Sequence, residues 1–355
     1  MSMSSTLPET DAPAPTVIDT EQNGMASFTG LNRRGIKTAV IVLAVLLVVE
    51  LVARVLASGL PNPDWNFAQT DRKVAEMQAL ADAGQEVDLV LLGNSSVNGA
   101  FTNDGVAAAT GADGVFNAGL DGSSMRQTED WALNVVVPLL SPETVVIGLT
   151  SRDLNDASSS NADVFRDYLN SRGRARFLGE ETAGQRIQRA LSEVSALVRI
   201  SPFLRDPASL ITQYNPDGPG TGEFVLPGED YNPRPLDITR TRERALNDYS
   251  LGGIELESLT RLVDELEAQG ITVVIMEMPY VAEDYLELHP NGASDYEAYR
   301  AVVAEFTAER NLPYIDLSAY PWTTNEFYDF LHVNSAGIAI INQLLADGLA
   351  GALEG

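Results

Sequence analysis

The chain has 355 residues, no cysteine, two histidines and a formal net charge of −27. Without cysteine there are no disulfides, thiolate metal sites or lipid-modified lipobox cysteine, and two distant histidines argue against a histidine metal centre. So acidic a chain lacks the basic face that phosphate binding needs, so no nucleic-acid partner, metal or cofactor is expected.

Residues 1–30 are rich in Ser, Thr, Pro, Asp and Glu and show little apolar periodicity, which predicts a disordered tail reaching to about residue 35. Residues 36–57 form an apolar run of about the 20 residues needed to cross a bilayer. Glu50 and Arg54 interrupt it four residues apart, so they share one helix face and can pair. Arg33, Arg34 and Lys37 precede or open the run, which by the positive-inside rule predicts a cytoplasmic N-terminus and an extracytoplasmic remainder. A single-pass cell-membrane anchor is therefore expected. The alternatives are a signal peptide cleaved after Val55-Leu56-Ala57 and a buried soluble helix. The long leading tail and long apolar run weigh against the first, and the position before a separate domain against the second.

Residues 58–85 read as a linker and a helix (70–83). A domain spanning 86–355 follows, in which apolar runs alternate with helical patterns. Strands are predicted at 87–92, 113–117, 143–149, 271–278 and 313–317, and helices at 97–109, 124–138, 253–269, 294–310 and 335–349. Such alternation implies an α/β fold with a mainly parallel sheet between helices. Residues 156–250 interrupt it with a helix-like stretch (183–198) and a Pro/Gly-rich loop (215–235). This is either an insertion capping the active-site edge or a surface excursion.

Two segments carry chemistry. The run Val87–Leu92 stops at Gly93-Asn94-Ser95 and feeds a helix-like stretch, so the turn presents side chains and backbone N–H groups at the sheet edge. Far downstream, Asp329 precedes His332 by three residues, just before a helix start. A serine hydroxyl needs a base, and the base needs an orienting group. In that arrangement Ser95 attacks an acyl carbonyl, His332 takes its proton and Asp329 fixes the imidazole tautomer. Ser96 is a rival nucleophile. His289, in Leu288-His289-Pro290, reads as an exposed loop residue, and Glu283, Asp284 and Glu287 as a solvated acidic face.

With the order Ser, Asp, His, these segments resemble the first and last blocks of the SGNH/GDSL hydrolase superfamily. That likeness implies a three-layer α/β/α sandwich, which here follows the transmembrane helix read from residues 36–57. The family's second block, Asn-x-Gly-x-x-Gly, is matched by Asn117-Ala118-Gly119-Leu120-Asp121-Gly122. Its third block, Gly-x-Asn-Asp, is matched only in part by Thr150-Ser151-Arg152-Asp153, where Arg152 stands in place of the oxyanion-hole Asn. The resemblance covers roughly residues 86–350. It implies Ser95, Asp329 and His332 as catalytic residues and the backbone N–H groups of Ser95 and Gly119 as oxyanion donors. Arg152 is open between three roles: a third donor, a binder of anionic substrate, or an ion-pair partner of Asp153.

An anchored SGNH-like domain further resembles envelope proteins that acylate or deacylate glycans. The implied partners are an acylated glycan or other ester and a membrane-bound O-acyltransferase. Transfer and hydrolysis share an acyl-serine intermediate and stay open, as do a non-catalytic envelope scaffold and a lipid esterase or thioesterase.

Overall fold

A computed structural model describes residues 33–57, 68–170, 172–205 and 230–353. The expected tail over 1–30, the linker after residue 57 and most of the 215–235 loop lie outside them. The chain divides into two compact units, one ending at Leu51 and one beginning at Val52.

In the first unit, the helix Arg33–Ala57 runs up to Leu51 with its aliphatic side chains exposed. Among the described residues, Gly35–Ala57 is the one helix long and apolar enough to cross a membrane. Its last residues, Val52 to Ala57, belong to the second unit.

That second unit is built on five parallel strands: β1 (Leu89–Leu92), β2 (Val115–Asn117), β3 (Thr144–Leu149), β4 (Thr272–Glu277) and β5 (Tyr314–Asp316), in the order β2-β1-β3-β4-β5. Side chains alternate between the two faces. Val90, Ile147 and Ile275 join Trp131, Leu262 and Val303 on one side. Leu91, Val146 and Val274 join Val97, Ile341 and Leu345 on the other. Both faces are covered, which is why the central strands read as unbroken apolar runs. The expected α/β sandwich is the observed one.

In this order β2 lies on one side of β1 and β3 on the other. The chain therefore reverses its direction of winding between β1 and β3, and the crevice outside their carboxyl ends is where such sheets bind ligands.

Three predicted helices differ in detail. The 97–109 helix is two, Ser95–Ala100 and Asn103–Thr110, with Thr102 capping the second through Gly105 N–H. The 124–138 helix runs from Met125 to Leu140 through a π turn, Ala132–Val136. Pro138 has no N–H for the α-helical bond, and the wider turn takes up the mismatch. The 183–198 stretch is broken at Ser195 into Ala183–Val194 and Ala196–Arg205.

The 156–250 segment does two things. Its helices Ala183–Val194 and Ala196–Arg205 lie beside residues 53–57: Ala196 and Ile200 pack on Ala53 and Ala57, and Arg54 donates to the Val194 carbonyl at 2.9 Å. Its end reaches the 328–332 loop, where Asn232 N–H donates to the Tyr328 carbonyl.

Candidate active site

Ser95 opens a helix three residues after β1. Gly93 makes that turn possible: its φ is +149°, and a Cβ there would lie 2.5 Å from Val97 Cγ2 and 2.7 Å from the Gly148 carbonyl oxygen. Asn94 caps the helix by accepting from Ser96 N–H at 2.7 Å. Its amide nitrogen donates to both carboxylate oxygens of buried Asp153 at 2.8 Å and to Thr150 Oγ at 3.0 Å. The turns after β1 and β3 are thereby tied together.

At the other end of the chain, Asp329 Oδ1 accepts from the backbone N–H groups of Leu331 and His332, both at 2.9 Å. This local turn aims the imidazole back at its own carboxylate. His332 Nδ1 lies 2.8 Å from Asp329 Oδ2, and Nε2 lies 2.8 Å from Ser95 Oγ. A carboxylate only accepts, so Nδ1 carries the proton and Nε2 is free to accept from the Ser95 hydroxyl. The Tyr328 ring stacks on the imidazole, with centroids 5.4 Å apart.

Burial pushes the His332 imidazole down, but the charge and hydrogen bond of Asp329, with a contribution from Asp121, hold it above the ordinary value; Arg152 opposes them. Burial pushes the Asp329 carboxyl up, yet the His332 charge and hydrogen bonds keep it below the ordinary carboxylate range.

The structure thus brings together Ser95, His332 and Asp329. Ser96 stands apart, buried and with no partner for its hydroxyl. The backbone N–H groups expected as oxyanion donors are those of Ser95 and Gly119. Ser95 N–H is one of the unbonded donors of the first helical turn. Gly119 N–H donates to Asn117 Oδ1 at 3.0 Å. Gly119 is small for another reason: a Cβ there would lie 3.0 Å from Asn98 N, so it lets the turn press against the Ser95 helix. Further along the same turn, Gly122 sits at φ +72°, beside Asp121, with its N–H unbonded and open space where a Cβ would be.

Arg152 lies in the short turn Ser151–Leu154 after β3. Of its three open roles, the ion pair with Asp153 does not form at contact distance. Asp153 instead accepts from Asn94, Thr150 N–H and Thr150 Oγ, while buried Arg152 Nε has no partner. Burial raises the Asp153 carboxyl, and the nearby Arg152 charge partly offsets that rise.

His289 is not exposed but buried. Its Nδ1–H faces the Tyr285 carbonyl at 3.3 Å, which leaves Nε2 to accept from Ser151 Oγ at 2.9 Å; Ser151 Oγ is also 2.7 Å from Tyr285 OH. This closed network holds the backbone next to Arg152. Glu283, Asp284 and Glu287 are exposed, and the described residues contain no metal-binding cluster.

No family model and no curated protein matches the sequence. Among solved structures, the chain is similar to a GDSL-like lipase from Bacteroides thetaiotaomicron (13% identity, covering 79% of this chain and 99% of that one, TM-score 0.37). It is also similar to an acetylxylan esterase from Geobacillus stearothermophilus (14%, 74% and 94%, TM-score 0.37) and to a second acetyl xylan esterase (13%, 75% and 100%, TM-score 0.37). At these identities the chemistry rests on this chain's own residues.

Proposed function

We propose that this chain is a membrane-anchored serine esterase of the SGNH type, with its catalytic domain outside the cytoplasmic membrane, acting on O-acyl groups of an envelope glycan. The observation that carries the reading is the continuous relay from Ser95 Oγ through His332 to Asp329 at the carboxyl edge of β1.

Ser95 Oγ bonds to the acyl carbon as its proton passes to His332 Nε2, and Asp329 stabilises the imidazolium. The Ser95 amide and the Arg152 guanidinium are the donors proposed for the oxyanion. As the tetrahedral species collapses, the ester C–O bond breaks and His332 returns the proton to the departing sugar oxygen. Attack by water on the acyl-Ser95 gives hydrolysis; attack by a sugar hydroxyl gives transfer. Transfer would also require an acyl donor, for which a membrane-bound O-acyltransferase is the partner of choice. Polar groups near the relay, notably Arg152 and Asp121, favour a polar substrate over a long acyl chain.

The test is Ser95→Ala assayed on p-nitrophenyl acetate and on an acetylated oligosaccharide, with fluorophosphonate labelling mapped by mass spectrometry. Activity should fall on the order of a thousandfold or more, since members of such a set act as a unit, and the label should map to Ser95. Full activity in the variant, or a label on Ser96, would overturn the assignment.

A further inference from the structure

The helix Ala183–Val194 carries an apolar stripe that its own domain leaves bare. Ile187, Leu191 and Val194 follow one another at helical spacing and are 63%, 54% and 74% exposed. Single exposed aliphatic residues need no explanation, but an aligned set on one helix does. The surrounding charge is also out of character. From Arg172 to Arg205 there are seven arginines and three acidic residues, in a chain whose net charge is −27. Arg186 and Arg199 are exposed.

The position of this hairpin supplies the occupant. Residues 52–57, the end of the apolar helix, lie in the same compact unit as the hairpin. Ala53 and Ala57 pack on Ala196 and Ile200, Arg54 reaches the Val194 carbonyl, and Arg199 donates to the Ala57 carbonyl at 3.1 Å. If the apolar helix leaves a bilayer at its C-terminal end, the hairpin is fixed at the bilayer surface. An amphipathic helix with a bare apolar face and flanking arginines is the kind of element that beds into the boundary between headgroups and acyl chains, and its cations favour anionic lipid.

We infer that the 183–205 hairpin is a second membrane contact: its apolar stripe lies in the outer surface of an anionic bilayer beside the point where the anchor emerges. This rests on the reading of residues 36–57 as a transmembrane anchor. Such a contact would hold the domain at a set height and orientation, where a single flexible tether would let it tumble.

The absence of cysteine allows a direct test with the full-length chain. Single-site variants Leu46→Cys, Leu191→Cys and Leu236→Cys are labelled with an environment-sensitive fluorophore. The protein is reconstituted into vesicles of phosphatidylglycerol and phosphatidylcholine, and quenching by doxyl-labelled lipid is compared with quenching by aqueous iodide. The label at Leu191 should shift to the blue, lose iodide quenching and gain lipid quenching. Leu236, exposed elsewhere on the domain, should stay open to iodide. Adding Arg186→Glu should return iodide access at Leu191. Lipid contact at Leu46 with water at Leu191 overturns the second contact and leaves the anchor standing. Water at both positions overturns both, whereas lipid at Leu191 alone overturns the anchor and, with it, the placement of the hairpin beside the anchor's exit.

Discussion

At the scale of single residues, the relay was legible because it is written in short local motifs. Asp329 and His332 are three apart, and Ser95 follows an apolar run that ends in glycine. The reading of His289 as an exposed loop residue failed. Nothing in the order of residues says that His289 folds inward onto Ser151, 138 residues away, because that depends on packing between distant segments. Arg152 is the residue whose role is most open to measurement. Its charge lowers the imidazole of His332, while Asp121 raises it. The base acts only when neutral, so kcat/KM should climb as pH rises through a His332 pKa held above the ordinary imidazole value. Arg152→Ala removes the opposing charge and should move this acid limb to higher pH. Asp121→Asn should move it to lower pH. If Arg152 also donates to the oxyanion, kcat for a neutral ester should fall about a hundredfold with KM little changed. An unmoved limb and an unchanged kcat in Arg152→Ala would remove this residue from the site.

At the scale of elements, the strands were the easiest part to read, since a strand buried on both faces is an apolar run wherever it occurs. Helix breaks were harder. The 97–109 pattern is continuous in periodicity, yet the chain turns at Phe101. The Phe101 carbonyl accepts from Asn117 Nδ2 and Thr102 starts a new helix, so the break is decided by a partner 16 residues away. The position of the Ser95 helix has a similar hidden cause. Val97 is fully buried in a notch left by two glycines, and a Cβ on Gly148 would lie 2.3 Å from its Cγ2. Gly148→Ala should therefore push the helix, and Ser95 with it, away from β3. Overpacking of this kind costs about 1–3 kcal/mol, and misplacement of a nucleophile by about 1 Å can cost about a hundredfold in rate. Adding Val97→Ala should restore most of the activity by reopening the notch. A double variant as slow as Gly148→Ala would show that the glycine matters for some other reason than seating this helix.

At the scale of the whole molecule, the sequence showed an apolar segment and an α/β domain but not their boundary, because residues 52–57 read as part of the span while packing with the domain. The anchor predicts that the full-length chain survives a carbonate wash of membranes; a mature N-terminus at Ser58 would mean that the segment is cleaved. Global stability has a separate signature at Glu277. It ends β4, is fully buried, and accepts from Tyr296 OH and, at 2.9 Å, from Tyr299 OH. Burial outweighs those hydrogen bonds and raises its carboxyl to about 7. A carboxyl raised in the folded state binds its proton more tightly there than in the unfolded chain. Its stabilising contribution is therefore complete below the unfolded value near 4.5 and is lost as pH rises to about 7. At about 1.4 kcal/mol per pH unit, the loss is on the order of 3 kcal/mol. Other carboxylates titrate as well, so the informative quantity is the difference in unfolding free energy between the native chain and Glu277→Gln. That difference should move in favour of the glutamine variant as pH rises from about 4.5 to about 7, because the amide has no proton to lose. Parallel stability curves over this range would mean that Glu277 is ionised in the fold throughout.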